Sequence, residues 1–397
     1  MRDRRPGCED LHVVARIALS ELARNSASEM VEQLHVLVAC ESPSNSLAAL
    51  GDCADLLAGW GEEALGRPAR RVVRDGLPHL LWEALDPRVV LLGHFDTVWP
   101  LGTIADWPLT VRDGVASGPG VFDMKAGIVQ MLTAVELAAE PSRVSILLTC
   151  DEETGSATSR DLIETQARRH RAVLVCEPSA DGGAVKVARK GTAWYRIAVA
   201  GRASHAGLEP ELGVNAGIEL AHQVLALERL ASRAGGTTVT PTLLSAGTTA
   251  NTVPESASLH VDVRAWTRSE LDRVNMSVRD LAPHLPEAAV TVNGGINRYP
   301  FELAMGLPLL DEVRAAAEEI GATPPEGVRS GGGSDGNFTA ALGVPTLDGL
   351  GAVGAHPHAR SEWADVTAMP ERVALLAALL DRLTTTDLVG DIEAPAG

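Results

Sequence analysis

Three short aliphatic runs stand out in the first half of the chain: RVVLLGH (88–94), RVSILLTCDEE (143–153) and RAVLVCEPS (171–179). Unbroken apolar runs of this length predict strands buried on both faces. Between the first two lies DMKAGIVQMLTAVELAAE (123–140), whose apolar residues recur at helical spacing. Strands alternating with helices predict a mainly parallel sheet, an α/β arrangement. Residues 10–40 read as a helical lead-in.

The texture changes near residue 185. GTAWYRIAVAGRA (191–203) and ASLHVDVRAWT (257–267) alternate apolar with polar positions, as half-exposed antiparallel strands do. VNAGIELAHQVLALERLA and SELDRVNMSVRDLAPHL read as helices between and after them, and AAVTVNGG as one more strand. This is an α+β sandwich. After residue 300 the α/β texture returns with PLLDEVRAAAEEIG, SDGNFTAALG and ERVALLAALLDRLTT. The order predicts one domain, 1–188 plus 300–397, interrupted by an inserted domain, 189–299. The tail DIEAPAG is expected to lack structure.

At 397 residues the chain is long enough for two cores. Aromatic residues make up only 3% of it, so those cores are aliphatic. The formal net charge of −18 argues against nucleic acid as a partner, because phosphate contacts need a basic surface. No basic run suggests an anionic membrane, no stretch is apolar for a membrane-spanning length, and the N-terminus lacks a signal-peptide pattern. The cysteines, Cys8, Cys40, Cys53, Cys150 and Cys176, are odd in number and form no CxxC pair. That fits a reducing cytoplasm.

The three buried runs share a further property. Each ends in metal-capable residues: His94 with Asp96, Glu152 with Glu153, and Glu177. Asp123 opens the intervening helix. Ligands of open α/β sheets bind beyond the carboxyl ends of the strands, so parallel strands bring these groups to one edge. Carboxylates crowded in this way repel unless cations compensate. AHPHARSEW (355–363) offers His356 and His358 as a further ligand. Imidazoles and carboxylates suit zinc. Charge balance favours two ions, since Asp123, Glu153, Glu177 and a hydroxide together offset two Zn²⁺.

Taken together, GHFDTV, GPGVFDMKAG, DEETGS, CEPS, GRASHAG and GGGSDGNF resemble the co-catalytic zinc peptidases. That family includes acetylornithine deacetylase, succinyl-diaminopimelate desuccinylase, aminoacylases and bacterial glutamate carboxypeptidases. GRASHAGLEPELGVNA and LGAVGAHPHARSEW most resemble the last branch. The resemblance implies a catalytic domain with a mainly parallel sheet and an inserted domain that dimerises. It implies two Zn²⁺ per chain, with Co²⁺ as a substitute. His94, Asp123, Glu153, Glu177 and His358 would bind the metals, Asp123 bridging them and followed by a cis peptide. His358 fits the family's H-x-x-x-E pattern with Glu362; His356 does not. Asp96 would orient His94, Glu152 would be the general base, and His205 of one subunit would serve the site of the other. Asn251, Arg264 and Arg298 would grip substrate carboxylates.

SGGGSDGNF lacks the lysine of a phosphate-binding loop, so it reads as a pocket-lining turn, with Gly332 as a substrate contact. Cys150 and Cys176 read as the ends of buried strands. The expected reaction is hydrolysis of an amide in an N-acyl amino acid or peptide, with release of a C-terminal acidic residue such as glutamate. Biosynthetic N-acyl deacylation is the alternative. A silent binding protein on the same fold is a third reading, which the intact ligand set and Glu152 oppose.

Overall fold

The computed structural model describes residues 19–385; the expectations for residues 10–18 and for the tail lie outside them. The chain divides into two units. The first comprises Met1–Ala188, Leu303–Arg329 and Ser334–Gly397, and the second Arg189–Glu302 and Ser330–Gly333.

The first unit is built on a six-stranded sheet. Its strands are β1 (Arg70–Arg74), β2 (Leu77–Trp82), β3 (Val89–His94), β4 (Val144–Thr149), β5 (Ala172–Val175) and β10 (Thr346–Leu347), ordered β1-β2-β4-β3-β5-β10. The aliphatic runs form β3, β4 and β5, every residue of which is buried. β3 lies parallel to both β4 and β5, and β10 lies parallel to β5. The hairpin β1–β2 adds an antiparallel edge. It was not anticipated, because RRVVR carries one buried residue in five.

The helix Ala126–Leu137 is buried along Ala126–Val135, as a helix with no polar face must be. It packs against the sheet and against the C-terminal helix Met369–Thr385. Its N-terminus follows a wide turn, Val121–Lys125, with a cis peptide bond between Asp123 and Met124. Gly127 in this helix and Gly351 both face the backbone carbonyl of Cys176, and a β-carbon at either position would overlap that oxygen. The strand end that carries Glu177 is therefore held between two glycines.

The second unit holds four antiparallel strands, β6 (Gly191–Ala200), β7 (Thr238–Ala246), β8 (Ser256–Ala265) and β9 (Ala289–Arg298), ordered β7-β8-β6-β9. Ala193, Tyr195, Ile197 and Val199 alternate onto the inner face. The helices Ala216–Glu228 and Arg268–Arg279 cover that face. Asn215 and Thr267 cap them: the Asn215 side chain accepts from Gly217 and Ile218 amides, and Thr267 from the Glu270 amide. β7 escaped the hydrophobic pattern. It contains Pro241, its register shifts between Pro241 and Leu244, and most of it is exposed.

Gly127→Ala tests how closely the first unit is packed. The added methyl must push the helix from the Cys176 carbonyl, at a cost of about 1–3 kcal/mol. Denaturant unfolding should show a lower midpoint; an unchanged midpoint would mean that the helix and strand end are not this close.

Candidate metal centre

The carboxyl ends of β3, β4 and β5 deliver their polar residues to one edge. His94 is the last residue of β3 and is almost fully buried. Its Nδ1 lies 3.0 Å from the Asp96 backbone oxygen and 3.4 Å from Asp96 Oδ1. Asp96 is fully buried and holds the next strand end as well: it accepts the Glu152 and Glu153 amides, each at 3.2 Å, and the Ser44 hydroxyl at 2.7 Å. One aspartate thereby fixes both His94 and the turn Glu152–Thr154.

On its other side His94 turns Nε2 toward Asp123 Oδ1 at 3.2 Å and Glu177 Oε1 at 3.5 Å. The second oxygen of Asp123 faces His358 Nε2 at 3.3 Å, and His358 Nε2 also lies 3.2 Å from Glu153. Asp123 thus stands between two imidazoles, with one oxygen toward each. His356 takes no part: its Nδ1 lies 3.2 Å from the Ser361 carbonyl. Glu362, fully buried, turns to backbone amides rather than to His358. It accepts the amides of Gly120, Phe122 and Asp123 and the Trp99 indole N–H, at 2.9–3.1 Å, so it shapes the turn that presents Asp123.

Two overlapping groups have ligand atoms within 4.8 Å of one another: His94, Glu152 and Glu177, and His94, Asp123 and Glu153. The donors are imidazole nitrogen and carboxylate oxygen, which suit a divalent first-row cation. The electrostatics agree. Burial alone would drive His94 to the neutral form, yet Asp123, Asp96 and Glu177 hold its pKa well above the usual imidazole value. The Asp123 and Glu153 carboxylates raise His358 to about 10. Asp123 resists a strong burial penalty and stays below the usual carboxylate range through His358 and His94. Burial pushes Glu153 up. Such a cluster demands positive charge, and in the metal-free chain protons on the two histidines supply it.

Residues 90–382 match the profile of peptidase family M20/M25/M40. The chain belongs to this family. It is 34% identical to carboxypeptidase G2 of Pseudomonas sp. (strain RS-16) over 302 residues, 74% of this chain and 73% of that one. It is 28% identical to succinyl-diaminopimelate desuccinylase 2 of Shewanella loihica over 350 residues, 80% of this chain and 92% of that one. The M20 metallo-carboxypeptidase Sso-CP2 of Sulfolobus solfataricus shares the fold, with a TM-score of 0.73 at 16% identity over 90% of this chain and all of that one. The protein is therefore an M20 metallopeptidase-type hydrolase, and the mixed α/β fold is that of the family.

The remaining candidates of this M20 peptidase lie in the second unit. His205 is exposed, and its Nδ1 accepts the amides of Gly207 and Leu208, each at 3.1 Å. Nδ1 is therefore the acceptor, and Nε2 carries the proton. The Asn251 carbonyl accepts the amide of Ala206, the residue after His205, at 2.9 Å. Arg298, at the end of β9, is 5% exposed. The Gly332 carbonyl accepts from the buried Arg189 at 3.1 Å. Arg264 is committed elsewhere: its guanidinium makes two-pronged contact with Asp262 at 2.8–2.9 Å. Both are on one face of β8, two residues apart, a pairing the strand period already allowed.

Three anchors left no mark in the sequence, two of them buried and one, Ser44, half-buried. Ser44 reaches Asp96 from another element. Asp335, in the motif read as a pocket turn, accepts the Thr149 hydroxyl at 3.1 Å and the Ser156 hydroxyl, so it ties together both flanks of the Glu152 turn. Asp151 accepts from Thr158 and Ser159 in the same loop. Only the count of buried Ser, Thr and Asp around a motif hints at such roles.

The raised histidines make a measurable demand. A divalent cation added to chelated protein at pH 7 should expel protons from His94 and His358, so its calorimetric heat should vary with the ionisation enthalpy of the buffer. In the metal-free chain the contribution of His358 to stability is complete below the free imidazole value. It is lost as pH rises through about 10. Buffer-independent heats would mean that the imidazoles are neutral before the metal arrives.

Proposed function

We propose that this M20 enzyme is a di-zinc carboxypeptidase that releases a C-terminal acidic amino acid, such as glutamate, from an N-acyl or peptidyl substrate. The observation that carries the reading is Asp123, with one carboxylate oxygen toward each of two imidazoles, as a bridging ligand requires. His94 and Glu177 would hold one metal, and His358 and Glu153 the other. When bound, the ions polarise the scissile carbonyl and acidify water. Similarity to carboxypeptidase G2 supports the peptidase substrate. Similarity to succinyl-diaminopimelate desuccinylases favours a second reading, deacylation of a succinylated or acetylated amino acid.

Glu152 is the general base. Its amide is pinned by Asp96, which sets the carboxylate at the metal edge, where it removes a proton from the attacking water and delivers it to the leaving amine. Asp96 keeps His94 oriented through Nδ1. His205 offers an N–H donor at Nε2 for the oxyanion of the tetrahedral stage. Arg298 and Asn251, with the Gly332 turn, recognise the carboxylate of the released amino acid. Arg264 is left out of this set, because Asp262 already occupies its guanidinium.

The second unit is proposed to form a homodimer. β7 lies at the edge of its sheet and exposes Leu243 and Leu244, and the helix Ala216–Glu228 exposes Ile218 and Leu225. An open apolar edge strand pairs readily with its own copy about a two-fold axis. Free Cys40, Cys53, Cys150 and Cys176 fit a cytoplasmic enzyme. Among the described residues no helix is long and apolar enough to cross a membrane.

A panel of N-acyl glutamates, glutamyl peptides and their C-terminal amides tests the substrate class. Free acids should be turned over and the amides strongly disfavoured. Equal rates on both would remove the carboxylate-binding role, and turnover of N-succinyl amino acids alone would establish the second reading.

Mixing two inactive variants tests the shared site. Glu152→Gln should lower turnover by about 10²–10⁴-fold with its metal retained. In a heterodimer with His205→Ala, one site carries both lesions and the other carries none. Random exchange makes half the dimers mixed, so activity should return to about a quarter of wild type. No recovery on mixing would place His205 in its own chain's site or outside the reaction.

A further inference from the structure

A third histidine of the first unit, His79, lies behind the metal edge and takes no part in it. It belongs to β2, which runs antiparallel to β4, and it is fully buried. Its Nδ1 accepts the Cys150 amide at 3.3 Å, with Cys150 Sγ 3.7 Å from the same nitrogen. Its Nε2 lies 2.9 Å from Thr158 Oγ1. An imidazole that accepts at Nδ1 and is neutral carries its proton at Nε2, so His79 donates to Thr158.

Those two contacts enclose the loop that matters most. Cys150 directly follows β4, and Thr158 stands just before the helix Arg160–Ala167. Between them lie Glu152 and Glu153. The bond to Thr158 continues inward: the Thr158 hydroxyl donates to Asp151 Oδ2 at 2.8 Å, and its amide donates to the same oxygen at 2.7 Å. The Asp151 carbonyl in turn accepts the Thr154 and Ser156 amides at 3.2 and 2.8 Å. Asp96 holds the Glu152 and Glu153 amides from another side.

We propose that His79 is a positioning residue for the hydrolytic step: one imidazole clamps both ends of the loop and so fixes where Glu152 meets the attacking water. The inference rests on Glu152 as the base. A base must stay within hydrogen-bond reach of one water, and a misplacement of about 1 Å can cost about 10²-fold in rate. The clamp needs a group that accepts at one end and donates at the other without carrying charge. Neutral imidazole does both. Burial holds His79 below the usual imidazole value, against the pull of Asp151, Asp335 and Asp96, so the ring is neutral at pH 7.

Three substitutions in the full, zinc-loaded chain separate the two contacts. Asparagine places an acceptor where Nδ1 stood, and glutamine places a donor where Nε2 stood. Phenylalanine fills the space and makes neither bond. Amide hydrogen exchange followed by mass spectrometry should show the segment 150–159 opening faster in His79→Phe than in the wild type, with His79→Asn and His79→Gln between them. Turnover is measured on whichever N-acyl glutamate or N-succinyl amino acid the wild type cleaves. Per zinc-loaded chain, kcat should fall about 10–100-fold in His79→Phe and less in the other two, while KM holds near its wild-type value.

Wild-type exchange of the segment in His79→Phe overturns the clamp. Faster exchange with wild-type kcat overturns the positioning role. So does a kcat that follows the melting midpoint across the three variants instead of the exchange of the loop, because that is the mark of a merely structural histidine. The exchange readout does not depend on the reaction. Glu152→Gln, assayed alongside, judges the base separately: if it keeps its turnover, the reading of Glu152 fails, and the exchange data still decide whether His79 clamps the loop.

Discussion

Crowding of negative charge governs this molecule. Asp96, Asp123, Glu152, Glu153 and Glu177 gather around His94 and His358 at one sheet edge. Two like charges about 4 Å apart repel by roughly 4 kcal/mol even where the surroundings screen as well as a protein surface does. No single hydrogen bond offsets several such pairs. The first unit therefore holds these groups by rigid means: strand ends buried on all sides, a helix with no polar face, and backbone amides aimed at Asp96 and Glu362. The raised histidines register the same demand for cations from the other side.

Much of this could be read from the chain because buried parallel strands leave a plain mark. RVVLLGH, RVSILLT and RAVLV had to be central strands, and their parallel order sent the following residues to one edge. What escaped was of another kind. β7 hides behind Pro241 and a shifted register, since a half-exposed edge strand has no need of alternating apolar residues. Glu362 entered only as the end of the H-x-x-x-E pattern, whereas its carboxylate spends its bonds on the amides around Asp123. Asp335 and Ser44 act across long sequence separations, and no local period reports on a partner more than fifty residues away. Arg264 meets Asp262 two places along the same strand face, a contact that the strand period allows but does not announce.

The two units use different physics to fix a side chain. In the first, position comes from depth: His94 and Asp96 are enclosed, and little about them can rotate. In the second, His205 is exposed and is fixed by hydrogen bonding alone, with two successive amides at Nδ1. Such an imidazole can present only a donor outward. It suits a group that must meet a negative charge and is unsuited to taking up a proton at that face.

The span bridged by Glu362 bears on how the protein is made. Its carboxylate closes on amides 239–242 residues earlier in the chain. A ribosome releases the Asp123 turn long before the residue that shapes it. During that interval the growing chain exposes strands, the acidic strand ends and an unset turn, and it must avoid both aggregation and premature cation capture. Closure of the turn around Asp123 is thus a late event in the making of the chain, set by a residue far downstream rather than by its own neighbours.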